Sequence, residues 1–311
     1  MRAYEPADMT ITVPAECTIA ELATTLAEHR QWLPIDVGWP ERTTVAELIG
    51  RNLSGPLRAS QGTVRDYLIG LTWTAADGAR VSSGGRVVKN VAGYDLAKMH
   101  VGAGGTLGTL VEATFKVRPL PEREIALGFA CASAREGAEQ ALDVRDLVEP
   151  AWCVVTSGGA DPRMEVVVGL MGGAAAVRGH ATALERRWPV VRDEDGAGRR
   201  TQYVRQAAPP SGRLVRVGLL PTDVPDCMAL IDAGPACEFV ANPACGVVEI
   251  VVRDDDAADV LLSSLRVLAE ERRGSVTDGP WSSAHSRPVR AAHDPAARLD
   301  DALRRAFGTA S

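Results

Sequence analysis

The run Gly102-Ala-Gly-Gly-Thr-Leu-Gly108 leads straight into an alternating segment, Thr109 to Val117. Successive side chains of a strand point to opposite faces, so Val111, Ala113, Phe115 and Val117 share one face and Glu112, Thr114 and Lys116 the other. Arg118-Pro-Leu-Pro121 ends the strand, because proline donates nothing to a ladder. A dinucleotide fingerprint needs a strand before its glycines and a helix after them, so that phosphate meets the helix N-terminus. Here a strand follows, which excludes a Rossmann site. No G-x-x-x-x-G-K-[ST] segment exists, which excludes a P-loop. Glycine frees backbone N–H groups where a chain turns tightly or touches a flat ligand. Both readings of this run stay open on spacing alone.

Three regions separate by pattern. Residues 1–122 are glycine-punctuated. They start with a strand at Met9–Val13 and a helix in which Ala20, Leu22, Ala23, Leu26 and Ala27 recur at helical spacing. Thr18 and Glu21 form a capping-box signature before that helix. Residues 123–277 alternate. Strands are expected at Ile125–Ala130, Ala151–Thr156, Glu165–Leu170, Leu214–Leu219 and Val247–Arg253, and helices at Ala134–Leu147, Ala174–Arg187 and Ala257–Arg272. That order predicts a ferredoxin-like sheet with helices on one face, in an α+β chain. Residues 278–311 are Pro- and Arg-rich, then helical at Ala296–Phe307. No internal repeat is evident. Asp254-Asp255-Asp256 reads as helix capping and first-turn charge rather than a metal site.

The chain has 311 residues, 46% hydrophobic and 24% charged, with a formal net charge of -6. This balance describes a folded chain with no basic excess for nucleic acid or an anionic membrane. The apolar run Val166–Val177 is broken by glycines and too short to span a bilayer. The first residues lack an apolar signal core, so the expectation is a cytoplasmic protein with no membrane span. Six cysteines form no C-x-x-C pair, which argues for free thiols and against a local iron–sulfur or zinc site. His29 and His180 read as surface residues, and His285 and His293 lie too far apart in the tail to suggest a metal. The six tryptophans are scattered, as core residues are. No Ser-His-Asp arrangement supports a hydrolase.

Lys89-Asn-Val-Ala-Gly-Tyr-Asp-Leu-Ala-Lys98, the Gly102–Gly108 run and Arg118-Pro-Leu-Pro121 together resemble the flavin domain of the vanillyl-alcohol-oxidase superfamily, the PCMH-type FAD-binding proteins. Within it the resemblance is to the FAD-binding subunits of bacterial glycolate oxidase. Thr44-Val-Ala-Glu-Leu-Ile-Gly-Arg-Asn-Leu-Ser-Gly-Pro56 and Gln61-Gly-Thr-Val-Arg-Asp-Tyr-Leu-Ile-Gly70 agree with it. The resemblance covers about residues 9–121. It implies the C-terminal part of a PCMH-type FAD-binding domain in 1–122, a ferredoxin-like cap domain in 123–277, and a tail in 278–311. It also implies non-covalent FAD held by two loops, one of Thr44, Asn52, Ser54 and Gly55, the other of Gly105, Thr106, Leu107, Gly108 and Leu110.

The family's flavin domain starts with a subdomain whose glycine loop meets the pyrophosphate. This sequence begins almost at the following strand, so the expectation is an N-terminally truncated domain with apolar surface left uncovered. Ala46-Glu47 replaces the expected Gly-Gly, and Glu16 a further glycine. A carboxylate at 47 would repel a diphosphate. The family's closing N-P-G is absent, as is the His-rich metal motif of the catalytic subunits.

Lys89 reads either as a partner for flavin or a substrate carboxylate, or as a solvated lysine. Tyr94-Asp95 reads either as a functional pair, with Asp95 orienting Lys98 or Arg86, or as a packed Tyr94 and a helix cap at Asp95, and Arg65-Asp66 reads as a structural ion pair. No catalytic base is recognisable. The reading is a FAD-binding, oxidoreductase-type subunit of a glycolate or 2-hydroxyacid dehydrogenase. It would pass electrons from a small 2-hydroxyacid through flavin to a catalytic flavoprotein subunit and an iron–sulfur subunit, and any attachment to the inner membrane would run through them. The rivals are a flavin-free accessory subunit and a stand-alone flavin oxidase.

Overall fold

A computed structural model describes residues 3–85, 95–157, 164–190, 192–207 and 213–279. The tail helix expected at 296–307, His285, His293, Arg86, Lys89 and Tyr94 lie outside the described residues. The described residues divide into two compact units, those up to 55 with those of 61–120, and those of 56–60 with those from 121 on.

The first unit is built on strands β1 (Ala3–Glu5) and β2 (Thr10–Pro14), helix α1 (Ile19–Ala27), the short β3 (Gln31–Trp32) and helix α2 (Val45–Arg51). After the brief turns α3 (Arg58–Gln61), whose first three residues belong to the second unit, and α4 (Val64–Tyr67) come β4 (Leu68–Thr74), β5 (Arg80–Gly84), β6 (Thr109–Lys116) and β7 (Arg118–Pro119). Five strands form one antiparallel sheet in the order β1-β2-β6-β4-β5. The capping box that starts α1 is present: Glu21 N–H donates to Thr18 Oγ1 at 3.2 Å, and Thr18 N–H donates to Glu21 Oε2 at 2.8 Å. Leu22 and Leu26 of α1 and Val45, Leu48 and Ile49 of α2 are buried with Ile11, Val13, Leu71, Trp73, Ala113 and Phe115. The alternation read in β6 therefore places its apolar set in the core.

The opposite face of this sheet is polar. The hydroxyls of Thr12 and Thr114 lie 2.9 Å apart and those of Thr72 and Ser82 3.0 Å apart, and Thr72 donates to Glu112 at 3.3 Å. The large exposed apolar side chains among this unit's described residues are Met9 and Leu120. Among the described residues of this unit the uncovered apolar surface expected from the sequence is not found, and the sheet face opposite the core carries threonine, serine and glutamate, with Thr72 and Thr114 themselves buried.

The second unit corrects the sequence reading in two respects. Its order is β8 (Arg123–Ala130), α5 (Ala134–Leu147), β9 (Trp152–Ser157), β10 (Glu165–Gly172), α6 (Ala174–Arg187) and β11 (Arg192–Asp195). Then follow α7 (Gly196–Gln206), β12 (Arg213–Gly218), α8 (Val224–Ala233), β13 (Glu238–Asn242), β14 (Val247–Val252), α9 (Asp255–Glu271) and β15 (Ser275–Gly279). This is the β-α-β-β-α-β motif twice, so an internal repeat exists and β12 opens the second copy rather than closing the first. The eight strands form one sheet, β11-β8-β10-β9-β13-β14-β12-β15, in which the second strands of the two copies pair antiparallel at the centre. Residues of α5, α6, α8 and α9 pack on one face against Leu127, Phe129, Val155, Val168, Val217, Phe239 and Ile250.

The other face of the first copy carries α7, whereas all helices were expected on one side. Arg200 of α7 donates to Glu124 through Nε (3.0 Å) and Nη2 (3.2 Å), Trp152 Nε1 donates to the same carboxylate at 3.1 Å, and Arg199 pairs with Glu165. Trp152 lies across its neighbour strand at Gly169, where a Cβ would overlap the indole.

Candidate functional site

Helix α2 organises the first unit's site from both ends. At its start, Thr44 Oγ1 accepts from Glu47 N–H at 3.2 Å, and Glu47 Oε2 accepts from Thr44 N–H at 3.1 Å. Glu47 is therefore the third residue of a second capping box. Its carboxylate satisfies a backbone donor the helix leaves orphaned and lies favourably in the helix dipole.

At the other end Asn52 takes a left-handed conformation (φ 51°, ψ 49°), and its N–H caps the carbonyls of Ile49 and Leu48. Asparagine tolerates this conformation better than most residues. The carbonyls of Ile49 and Gly50 accept from the N–H groups of Gly102 (2.9 Å) and Gly104 (2.8 Å). The glycine run thus docks as an extension of the helix cap. The side-chain Oδ1 of Asn52 is buried and has no hydrogen-bond partner.

Within the run, Gly102, Gly104 and Gly105 have φ of 81°, 60° and 79°. Gly105 is exposed, and nothing lies within 4 Å of where its Cβ would stand. The N–H groups of Thr106 and Gly108 are turned inward to the carbonyls of Ala103 (3.1 Å) and Gly105 (3.3 Å), and Thr106 Oγ1 also donates to Ala103 O at 2.7 Å. Gly108 has a packing reason for being glycine: at φ 132° a Cβ would overlap the Thr74 carbonyl oxygen and lie 2.9 Å from Trp73 Cδ1. Leu107 is buried and Leu110 packs at the edge of the core.

Of the nine residues named from sequence, Asn52 lies with its Cβ against Gly102 of the docked run, and Gly105 is the open position within it. Ser54 and Gly55 follow Asn52 in the chain. Thr44 stands at the far end of α2, a span of about 10 Å for seven residues. Thr106, Leu107 and Gly108 are committed to the run's own turn and to packing.

Two neighbours of the run were not anticipated. His100 is 4% exposed, its ring centroid 4.5 Å from that of Trp73, and burial pushes its pKa down to about 4. The Lys98 amino group donates to the carbonyls of Arg65 and Leu68, while Arg65 Nη1 donates to Lys98 O at 3.0 Å. Burial lowers the Lys98 pKa. A compact ammonium fits between two carbonyls where a planar guanidinium would not. That a lysine persists where arginine dominates was the available signal, since the chain has only Lys89, Lys98 and Lys116.

Asp95 precedes the turn Leu96–His100 but makes no side-chain cap bond, contrary to the sequence reading. Asp66 and Arg65 are structural through other partners than each other: Asp66 caps Thr63 N–H at 2.7 Å, and Arg65 holds Lys98. Among the described residues no group of three or more His, Cys, Asp or Glu could hold a metal, and no disulfide joins the six cysteines.

The residues present suit a flat cofactor's polar edge. Asn52 Oδ1 is a buried acceptor without a donor, and Gly105 beside the docked run leaves open space that a side chain would fill. An isoalloxazine and its ribityl chain carry both flat faces and donors. The N-terminus of α2, by contrast, is occupied by the chain's own carboxylate.

Comparison with known proteins agrees with this geometry. Residues 1–84 match the family model of an FAD binding domain. Glycolate oxidase subunit GlcE of Escherichia coli is 34% identical over 151 residues, which is 46% of this chain and 43% of that protein. Glycolate oxidase subunit GlcD of Bacillus subtilis is 33% identical over 120 residues, 39% of this chain and 26% of GlcD. A mitochondrial D-lactate dehydrogenase of Arabidopsis thaliana is 28% identical over 142 residues, 46% of this chain and 25% of that enzyme. The chain thus spans less than half the length of these relatives. Alkyldihydroxyacetonephosphate synthase has the same fold, with a TM-score of 0.66 over 98% of this chain and 64% of the synthase at 14% identity. The chain is thus similar to FAD-binding proteins over residues 1–84, and its α+β architecture is the fold of the synthase.

Proposed function

We propose that this chain is the FAD-binding subunit of a 2-hydroxyacid dehydrogenase of the glycolate oxidase type. In this reading residues 1–122 hold the flavin non-covalently and residues 123–277 form the cap. FAD, when bound, supplies an acceptor for the hydride that leaves the hydroxyl carbon of the acid. The chain's own part is positional. Asn52 Oδ1 accepts a hydrogen bond from the cofactor's polar edge, and the glycine run, tied by the Ile49 and Gly50 carbonyls, presents main chain without side chains. Electrons would then leave through a catalytic flavoprotein subunit and an iron–sulfur subunit. The similarity to both GlcE and GlcD supports an assembly of this kind. No helix among the described residues is long and apolar enough to cross a membrane.

The observation that carries this reading is the orphaned Asn52 Oδ1 at the helix end on which the glycine run, with its open Gly105, is docked. The test is the visible spectrum of the purified chain after incubation with FAD and desalting. Retention near one flavin per chain, lowered by Asn52→Ala, is expected. No retained flavin would sink the reading.

A second reading, an accessory subunit that binds no flavin, is favoured by one observation: the Glu47 carboxylate at the N-terminus of α2. Glu47→Gln separates charge from capping, since glutamine can still accept from Thr44 N–H. If charge excludes the flavin, Glu47→Gln restores retention. If the wild type retains FAD and Glu47→Gln leaves it unchanged, the accessory reading falls.

A further inference from the structure

The glycine run cannot hold its own shape. Gly102, Gly104 and Gly105 take left-handed conformations, and glycine loses more conformational freedom on ordering than any other residue. What ties the run down therefore decides its shape. Downstream, Thr109 and Leu110 pair with Thr74 and Trp73 at the end of β4. In the middle, the N–H groups of Gly102 and Gly104 reach the α2 carbonyls. Upstream the tie is Lys98. Its ammonium donates to the main-chain carbonyls of Arg65 and of Leu68, the first residue of β4, and Arg65 Nη1 donates back to Lys98 O at 3.0 Å. The segment from Lys98 to Thr109 is thus fixed to both ends of one strand, about 20 Å apart for its seven residues, and to α2 between them.

Lys98 is half-buried. Burial lowers its pKa, with the charges of Asp95 and Asp66 opposing the fall and that of Arg65 adding to it. Its hydrogen bonds among the described residues all go to neutral carbonyls. An ammonium held in this way costs desolvation that an apolar side chain in the same space would not. An apolar side chain cannot, however, hold two main-chain carbonyls of a distant segment. The chemistry of Lys98 therefore serves position. We infer that Lys98 is a positioning residue for the cofactor: by fastening the entry of the glycine run to β4, it holds the main chain of Gly102–Gly105 in the conformation that the flavin meets. The fastening stands on the first unit's geometry, and its purpose rests on the function proposed above.

The test compares the full-length wild type with Lys98→Met and Lys98→Ala. Hydrogen exchange without cofactor reads the fastening. The Gly102 and Gly104 amides should exchange about 10-fold faster in Lys98→Met, the value of a charged hydrogen bond, while the amides of the β6 ladder keep their rates. FAD titration followed by flavin fluorescence reads the purpose. The dissociation constant should rise about 10-fold, because only chains with the run in place bind. Propylammonium replaces the atoms missing from Lys98→Ala and should restore most of the affinity. Tetramethylammonium, a cation without N–H donors, should not. A merely structural lysine would give faster exchange throughout the unit and no selective rescue.

Should Lys98→Met fail to fold by circular dichroism, Arg65→Met, at an exposed residue, removes the return bond and should raise the dissociation constant several-fold. Unchanged exchange at Gly102 and Gly104, exchange accelerated equally in β6, or equal rescue by the two cations would each overturn the inference. So would FAD binding by Lys98→Met within threefold of a wild type that binds it, which leaves the proposed function standing. A wild type that binds no flavin would overturn both.

Discussion

Gly105 and Gly108 stand three residues apart in one run, yet the structure predicts opposite consequences for replacing them. At Gly108 an alanine Cβ would overlap the Thr74 carbonyl oxygen and press on Trp73 Cδ1 at 2.9 Å, on a backbone at φ 132° that side chains rarely adopt. The backbone strain costs about 1–3 kcal/mol. Overpacking against a fixed carbonyl and a buried indole costs about as much again. Gly108→Ala should therefore destabilise the first unit by about 2–6 kcal/mol, much of the stability of an ordinary domain.

At Gly105 the same Cβ meets nothing within 4 Å, and only the left-handed φ of 79° opposes it, at about 1–2 kcal/mol. What Gly105→Ala fills is the space where the cofactor is proposed to lie. Urea unfolding followed by circular dichroism, with FAD retention after desalting, separates the two. Gly108→Ala should lower the midpoint strongly. Gly105→Ala should lower it by less, as its cost of about 1–2 kcal/mol requires, and lower FAD retention. A Gly108→Ala protein as stable as wild type, or a Gly105→Ala protein less stable than Gly108→Ala, would refute the packing argument.

Other consequences follow from the same packing. His100 is held neutral by burial, with its pKa near 4 against 6.5 when unfolded. Its contribution to stability is therefore complete above about pH 6.5 and is lost as pH falls toward 4, up to about 3 kcal/mol; urea midpoints at pH 7.5 and pH 5 should converge in His100→Phe. Gly169→Ala would drive a methyl into the Trp152 indole and should cost at least about 1–3 kcal/mol, with the near-ultraviolet dichroism of the buried tryptophan weakened. Arg200→Met should cost about 3–5 kcal/mol by stripping Glu124 of its bidentate partner. Adding Glu124→Gln, which still accepts from Trp152 Nε1, should recover part of that loss in a double-mutant cycle. Thr18→Ala removes one capping box and should cost about 1 kcal/mol by urea melting.

The elements legible from sequence are those whose signal is local. Thr18 and Glu21 announced α1, and the structure forms both of their reciprocal bonds. Helices α5 and α6 have the bounds read from their spacing. The same local logic was available at Thr44-Val-Ala-Glu47 and was read instead as an electrostatic obstacle, because the resemblance drew attention to the missing glycines. Helix α7 was missed for a different reason. Its buried positions include Arg199 and Arg200, and a charged residue signals exposure unless its partner is known. Those partners, Glu165 and Glu124, lie 34 and 76 residues away. Strand β11 is Arg-Asp-Glu-Asp, which has no apolar alternation to read. Strand β13 has five residues before a proline. Helix α8 and strand β15 were not expected either, and without α8, β13 and β15 the second copy of the motif could not be counted.

At the candidate site the division is the same. Sequence alone determined that the glycine run ends in a strand, which excludes a Rossmann or P-loop nucleotide site, and its motifs pointed to the flavin superfamily. It could not distinguish Gly105, open beside the run, from Gly108, closed against Trp73 and Thr74, since both are glycine in one loop. Nor could it show that Asn52 ends its helix with an acceptor left over, or that Lys98 reaches the carbonyls of Arg65 and Leu68. Capping, alternation and turn chemistry act within a few residues and can be read along the chain. Whether a buried polar atom is satisfied depends on groups brought to it from distant strands, and only the tertiary structure decides that.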